Sequence, residues 1–150
     1  MNAYELCQRH VVTVRRHEDL TTAARMMRER NVGCLVVVDP SGVSRGERPV
    51  GMLTDRDIVT MAIARDIDLQ SLEVAAVMSE PVIVSIHCSI DDALLRMRKC
   101  GVRRVAVVDD RGRLVGILAL DDIYEHLERR APSAATPIRR GARLETAKLL

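Results

Sequence analysis

The chain has 150 residues, 47% of them hydrophobic and 29% charged, with a formal net charge of +2. That length holds one compact domain, or two small halves that share a core. With no Phe, no Trp and only Tyr4 and Tyr124, it lacks the stacking platform of a single-strand nucleic-acid binder and the aromatic belt of a membrane protein, and no apolar run approaches the ~20 residues of a membrane span.

Along the chain, Met1–Glu5 offers no basic segment followed by an apolar one, so no signal peptide is expected and the protein reads as cytoplasmic. Val12-Thr-Val14 is a short strand by its β-branched content. Leu20, Ala23, Ala24 and Met27 fall at i, i+3, i+4 and i+7, the spacing of one helix face. Leu35–Val38 is a continuous apolar run bounded by turns, as a strand buried on both faces requires. Residues 39–49 are turn-forming throughout and predict a long loop. A strand then ends at Leu53 and a helix begins near Asp55, expected to turn Ile58, Met61 and Ala62 inward. Further on come a strand at Val82–Val84 and a helix carrying Ile90, Ala93, Leu94 and Met97, with Ser89 at its N-cap and Asp92 three residues on. A buried strand at Val105–Val108, a short turn around Arg111-Gly112, and a strand into a helix near Asp121 complete the series, the last helix expected to turn Ile123 and Leu127 inward.

These elements are two copies of one β-α-β-β-α unit. Shifted by 70 positions, Val12–Asp39 falls on Val82–Asp109 without a gap, and ten of the 28 pairs are identical. Beyond the long loop the offset drops to 65, and Val50-Gly-Met-Leu53 matches Val115-Gly-Ile-Leu118. A unit of this size buries too little surface alone, so the copies should pack together. The expected class is therefore α+β, with two pseudo-symmetric units packed sheet to sheet, at 1–67 and 68–130, followed by a tail at 131–150. That tail holds Arg139, Arg140, Arg143 and Lys148 against Glu145, a net of +3 that leaves −1 for residues 1–130. The basic excess thus belongs to the tail, which reads as disordered or partner-binding, and a nucleic-acid surface on the body is not indicated.

Gly42-Val-Ser-Arg-Gly46 fits Gly-x-Ser-x-Gly by letter only, inside the expected long loop and not at a strand-to-helix elbow, and there is no His-Glu-x-x-His, no phosphate loop and no Gly-x-Gly-x-x-Gly. Cys7, Cys34, Cys88 and Cys100 form no Cys-x-x-Cys pair, so they read as reduced structural thiols, and no metal site is expected. His17 and His87 occupy equivalent positions just before a helix and have no evident nucleophile partner. The informative segment is Gly51-Met-Leu-Thr-Asp-Arg-Asp57. At that strand-to-helix junction Thr54 can donate to a phosphate or ribose oxygen, and Asp57 can accept from both hydroxyls of a ribose. The same Thr-x-x-Asp spacing is also an ordinary capping box.

The doubled unit, with each copy closing on Gly-apolar-apolar-x-x-x-Asp, resembles the CBS domain used in pairs as the Bateman module. The matching residues are Val50–Ile58, Leu114–Ile123, the Val-Val-Asp runs at 37–39 and 107–109, and Ala75–Val82 leading into the second copy. The resemblance covers about residues 5–130. It implies a non-catalytic regulatory module that binds an adenosine ligand such as AMP, ADP, ATP, NAD or S-adenosylmethionine, with the base in a cleft between the copies and no cofactor required. It assigns Thr54 and Asp57 to the ribose and phosphate, and Asp122 to a degenerate second site.

Two departures qualify that assignment. Ala119 replaces the hydroxyl in the second copy, and Asp121 stands where the first copy has Arg56. Repulsion of a phosphate at ~4 Å is worth on the order of a kcal/mol or more in a half-buried cleft, so the first copy is expected to bind nucleotide and the second poorly. Arg56, Arg103 and Arg104 are candidate phosphate contacts, and Val12, Val36, Val82 and Ala106 are candidate walls of the base pocket. A homodimer is expected from the apolar helical faces, and an unidentified protein partner is allowed for. The competing expectation is a stress-related interaction module whose nucleotide clefts are vestigial.

Overall fold

The structure, a computed structural model, describes residues 1–40 and 46–130. Both the centre of the expected long loop and the 131–150 tail, with its disordered or partner-binding reading, lie outside the described residues. Elements in chain order are α1 (Ala3–Leu6), β1 (Thr13–Val14), α2 (Leu20–Arg30), β2 (Cys34–Pro40), β3 (Glu47–Thr54), α3 (Asp55–Met61), β4 (Ile83–Ser85), α4 (Ile90–Cys100), β5 (Arg104–Val108), β6 (Leu114–Ala119) and α5 (Leu120–Arg130), with 3-10 turns at Ile63–Arg65 and Val74–Ala76.

The repeat becomes two three-stranded sheets of the same design, β1-β2-β3 and β4-β5-β6. In each, the first pair is parallel and the second antiparallel, and the ladder shifts register at equivalent points, Val37/Val38 and Val107/Val108. Equivalent helices start alike. Asp19 accepts the Thr22 N–H at 2.8 Å to cap α2, and Ser89 accepts the Asp92 N–H at 3.1 Å to cap α4.

Strand β2 explains its own composition. Residues 34–38 are all buried, and side chains alternate between the two faces of a strand. Leu35 and Val37 join Leu20, Met27, Leu53 and Ile58 in the core beneath the helices of the first unit. Cys34, Val36 and Val38 point the other way and pack with Met52, Val11, Leu114 and Ile117, which form the layer between the two sheets. The units are therefore packed sheet to sheet, as expected.

Each unit also borrows a segment from beyond its own repeat. Val74 and Val77, from the stretch between the copies, are buried in the first core. Their backbone is tied to the first unit by Val74 N–H to Glu18 O (2.8 Å) and Ala75 N–H to Arg16 O (2.9 Å). Conversely, Ala3 and Cys7 at the N-terminus are buried in the second core with Val84, Leu118 and Ile123, and the Ala3 N–H donates to Cys88 O at 2.8 Å. At full burial a Val stabilises by about 1.5–3 kcal/mol, so the first core depends on Val74 and Val77, while the second is closed by the smaller Ala3 and Cys7.

Two expected core residues face outward. Met61 is 37% exposed and Leu127 49%, whereas Ile58, Ala62 and Ile123 are buried as expected. Only the stripe of Ile58 and Ala62, one turn apart, meets the sheet, and α3 ends at Met61 before a wider face can form. The residue equivalent to Leu127 is Ala62, which the chain folds back over, Ile67 N–H donating to Ala62 O at 3.1 Å. In the second unit the described residues end with α5, and Leu127 lacks such a cover among them.

Candidate functional site

The junction of β3 and α3 is a complete capping box. Thr54 Oγ1 accepts the Asp57 N–H at 3.1 Å, and Asp57 Oδ2 accepts the Thr54 N–H at 2.9 Å. The local reason for the Thr-x-x-Asp spacing is thus fulfilled within the chain, yet it uses only one oxygen of the carboxylate. No hydrogen bond reaches Asp57 Oδ1 among the described residues. Asp57 lines a cleft of about 370 Å³ together with Cys34, Met52 and Thr54–Arg56 of the first unit and with Ser79, Glu80, Val82 and Gly101–Arg104. That volume lies in the range of small-molecule sites, and a mainly apolar lining with a few convergent polar groups is their usual character.

The equivalent junction in the second unit opens on a smaller cleft of about 280 Å³, lined by Gln8–Val12 without Arg9, by Asn31–Cys34, and by Arg104, Ile117, Ala119, Asp121 and Asp122. Here both oxygens of the aspartate are engaged. Asp122 Oδ1 accepts from Gln8 Nε2 at 3.0 Å, and Oδ2 accepts the Ala119 N–H at 3.3 Å.

The candidate residues are distributed accordingly. Thr54, Arg56, Asp57, Val82, Arg103 and Arg104 come together at the larger cleft. Val12 and Asp122 lie at the smaller one, and Arg104 lines both. Val36 and Ala106 line neither; both are fully buried in their strands, Val36 within the layer between the sheets. Arg103 pairs with Asp121 at 2.8 Å, the two side chains being 69% and 70% exposed. An ion pair this open contributes at most about 1 kcal/mol, so it leaves Arg103 available to an anion. Neither Arg56 nor Arg104 forms a salt bridge among the described residues.

Residues that sequence reasoning passed over include Cys34, Ser79, Glu80 and Gln8. Cys34 lines both clefts beside Arg104. Burial pushes its thiol up to about 11, with the Asp57 and Asp55 carboxylates adding to the rise and Arg104 opposing it. It is therefore a protonated wall rather than a nucleophile. Ser79 and Gln8 occupy equivalent places, each paired through both backbone groups to the middle of the third strand of a sheet: Ser79 with Met52, and Gln8 with Ile117, all four bonds at 2.9 Å. The sequence signal for this equivalence exists, but at an offset of 71, because residues 9–11 are one longer than 80–81.

Two segments of the chain, residues 3–63 and 74–129, match the family model of the CBS domain. The chain belongs to the CBS domain family. Hypoxic response protein 1 of Mycobacterium tuberculosis is 35% identical over 130 residues, covering 86% of this chain and 87% of that protein. The crystal structure of Hypoxic Response Protein I with two coordinated zinc ions superposes with a TM-score of 0.71 at 33% identity, covering 88% of this chain and all of that one. Among the described residues here, no group of three or more His, Cys, Asp or Glu side chains is placed to hold a metal ion. A CBS domain protein from Pyrobaculum aerophilum complexed with AMP superposes with a TM-score of 0.73 at 26% identity, covering 86% of this chain and 99% of that one. The chain spans 60% of the length of another relative, an uncharacterized protein of Methanopyrus kandleri that is 31% identical over 122 residues. The fold is that of a CBS pair. No described helix is long and apolar enough to cross a membrane.

Proposed function

We propose that this CBS pair is a non-catalytic regulatory module that binds an adenosine-type nucleotide (AMP, ADP, ATP, NAD or S-adenosylmethionine) in the larger cleft. The observation that carries the reading is the state of Asp57. Its carboxylate is fixed by the Thr54 N–H at 2.9 Å, carries no hydrogen bond on its other oxygen among the described residues, and lines a 370 Å³ cleft that also holds Arg56, Arg103 and Arg104. A ribose hydroxyl donates to such an oxygen, and guanidinium groups suit the phosphates. Met52 and Val82 supply the apolar wall for a base that this chain has no Phe or Trp to stack. The AMP complex of the Pyrobaculum aerophilum relative supports the ligand class. In the same reading the units are 1–67 and 68–130, the protein is cytoplasmic, and it pairs as a homodimer through the exposed apolar residues Val59, Met61, Tyr124 and Leu127. An unidentified protein partner receives the signal.

Isothermal titration with the five nucleotides tests this. Binding of at least one, weakened about tenfold or more by Asp57→Ala, is expected, since a lost hydrogen bond to a charged group costs about 1.5–3 kcal/mol. Silence from all five, or binding indifferent to Asp57→Ala, refutes the reading. A second reading, a stress-related interaction module with degenerate clefts, draws on the name of the Mycobacterium tuberculosis relative and on Asp122, whose two oxygens are both engaged within the chain. It gains ground if no nucleotide binds.

A further inference from the structure

The two clefts are built on the same backbone, so their difference lies in a few side chains. The strand pairs Met52–Ser79 and Ile117–Gln8 are superimposable in kind, each a reciprocal pair of 2.9 Å bonds. In the first, the short Ser79 hydroxyl turns back to Met52 O at 3.3 Å, and Asp57 Oδ1 stays open. In the second, Gln8 carries a methylene and an amide where Ser79 has its hydroxyl. It reaches Asp122 and donates from Nε2 to Oδ1 at 3.0 Å. A carboxylate oxygen only accepts, so this contact fixes the amide with its NH2 toward Asp122.

We propose that Gln8 closes the smaller cleft by giving Asp122 the hydrogen bond that a ribose hydroxyl would give, so that the chain takes nucleotide in one cleft only. This rests on the reading of the larger cleft as the nucleotide site and adds what sets its number. Gln8 is an internal stand-in for the sugar. Its backbone is held by two strand-type bonds, so the amide stays at its post without the entropy loss that a free ligand suffers. The missing hydroxyl at Ala119 and the charge of Asp121 weaken the same cleft, but neither occupies the aspartate. The identity of one residue, Ser79 or Gln8, decides whether an aspartate is free.

The experiment moves that residue between the clefts in the full chain, with AMP as the titrant and thermal midpoints recorded alongside. Wild type is expected to bind one AMP per chain. Ser79→Gln, at an exposed position, is expected to weaken AMP by on the order of tenfold, matching Asp57→Ala, because the new amide covers Asp57. In the other cleft, A119T/D121R restores the first copy's residues but leaves Gln8 in place, and is expected to stay at one AMP. Adding Gln8→Ser to that pair is expected to bring the number to two. Ser79→Gln binding AMP as wild type does overturns the proposal, as does a second AMP in A119T/D121R with Gln8 present, or a single AMP still after Gln8→Ser. If Ser79→Gln fails to fold, the A119T/D121R comparison decides alone. Wild type that takes no AMP overturns this proposal, and silence from all five nucleotides overturns the reading of the larger cleft as well, whereas wild-type binding untouched by Ser79→Gln removes the role of Gln8 only.

Discussion

Gly116→Ala tests the borrowed segments where they touch the repeat. A Cβ at Gly116 would collide with Cys7 Sγ and stand 3.0 Å from the carbonyl oxygen of Gln8 and 3.1 Å from Cys7 Cβ. The carbonyl cannot retreat freely, because it accepts the Ile117 N–H at 2.9 Å, and Cys7 is packed in the second core. Forcing a methyl into such a site costs about 1–3 kcal/mol. At the equivalent Gly51 the three nearest atoms all belong to the Met78 side chain, with Cγ at 3.0 Å and Cβ at 3.2 Å beyond a closer sulfur contact. An unbranched thioether moves aside easily, so Gly51→Ala should cost less, about 1 kcal/mol or below. Equilibrium urea unfolding of both variants measures the difference. Cys7→Ala supplies the control: it removes the sulfur in the way, so its own cost should shrink in the Gly116→Ala background, giving a coupling of at least ~0.5 kcal/mol. Equal losses at the two glycines, or strict additivity with Cys7→Ala, would refute the crossing of Gly116 by the N-terminal segment as the cause.

Three further expectations concern the cleft walls. Thr54→Ala removes the cap of α3 and should lower unfolding stability by about 1 kcal/mol in the absence of any ligand, which chemical denaturation reads separately from nucleotide affinity. The Cys34 thiol, raised above the 9.0 of an ordinary thiol to about 11, holds its proton longer folded than unfolded. The stability it contributes is full below pH about 9 and is lost as pH rises toward 11, so Cys34→Ala should flatten the fall in unfolding midpoint across that window. At neutral pH a thiol reagent should label exposed Cys100 well before buried Cys34, and equal rates would contradict the assigned burial.

Much of this architecture was legible in the chain because the repeat doubles every signal. Leu20/Ile90, Ala23/Ala93 and Met27/Met97 mark one helix face twice, and the Val-Val-Asp runs mark one strand twice. Thr54 and Asp57 were legible for two reasons at once, and the structure fulfils the capping one while leaving an oxygen for the other. What escaped was short and aperiodic. Helix α1 has four residues, too few for any period to register, and Val74 and Val77 lie in a stretch read as leading into the second copy, not as part of the first core. Gln8 escaped because a glutamine on a short edge segment carries no pattern of its own; only its opposite number, Ser79, gives it meaning. Met61 and Leu127 were misread because helix periodicity says which residues share a face, not how wide a face three strands can cover.

The exchange of segments also sets an order in time. During synthesis the first unit has every piece of its core once Val77 has emerged, since the stretch it borrows follows it directly. The second unit waits for Ile123, and the piece it borrows, Ala3 and Cys7, is made before any strand of the first unit. That segment is therefore stored until both units have been built. A chain cut between the copies would leave one product carrying a strip of the other's interior, and a ribosome that stalls after the first unit would hold a half in which Ala3 and Cys7, and the Val36 and Val38 face of the sheet, still wait for their partners.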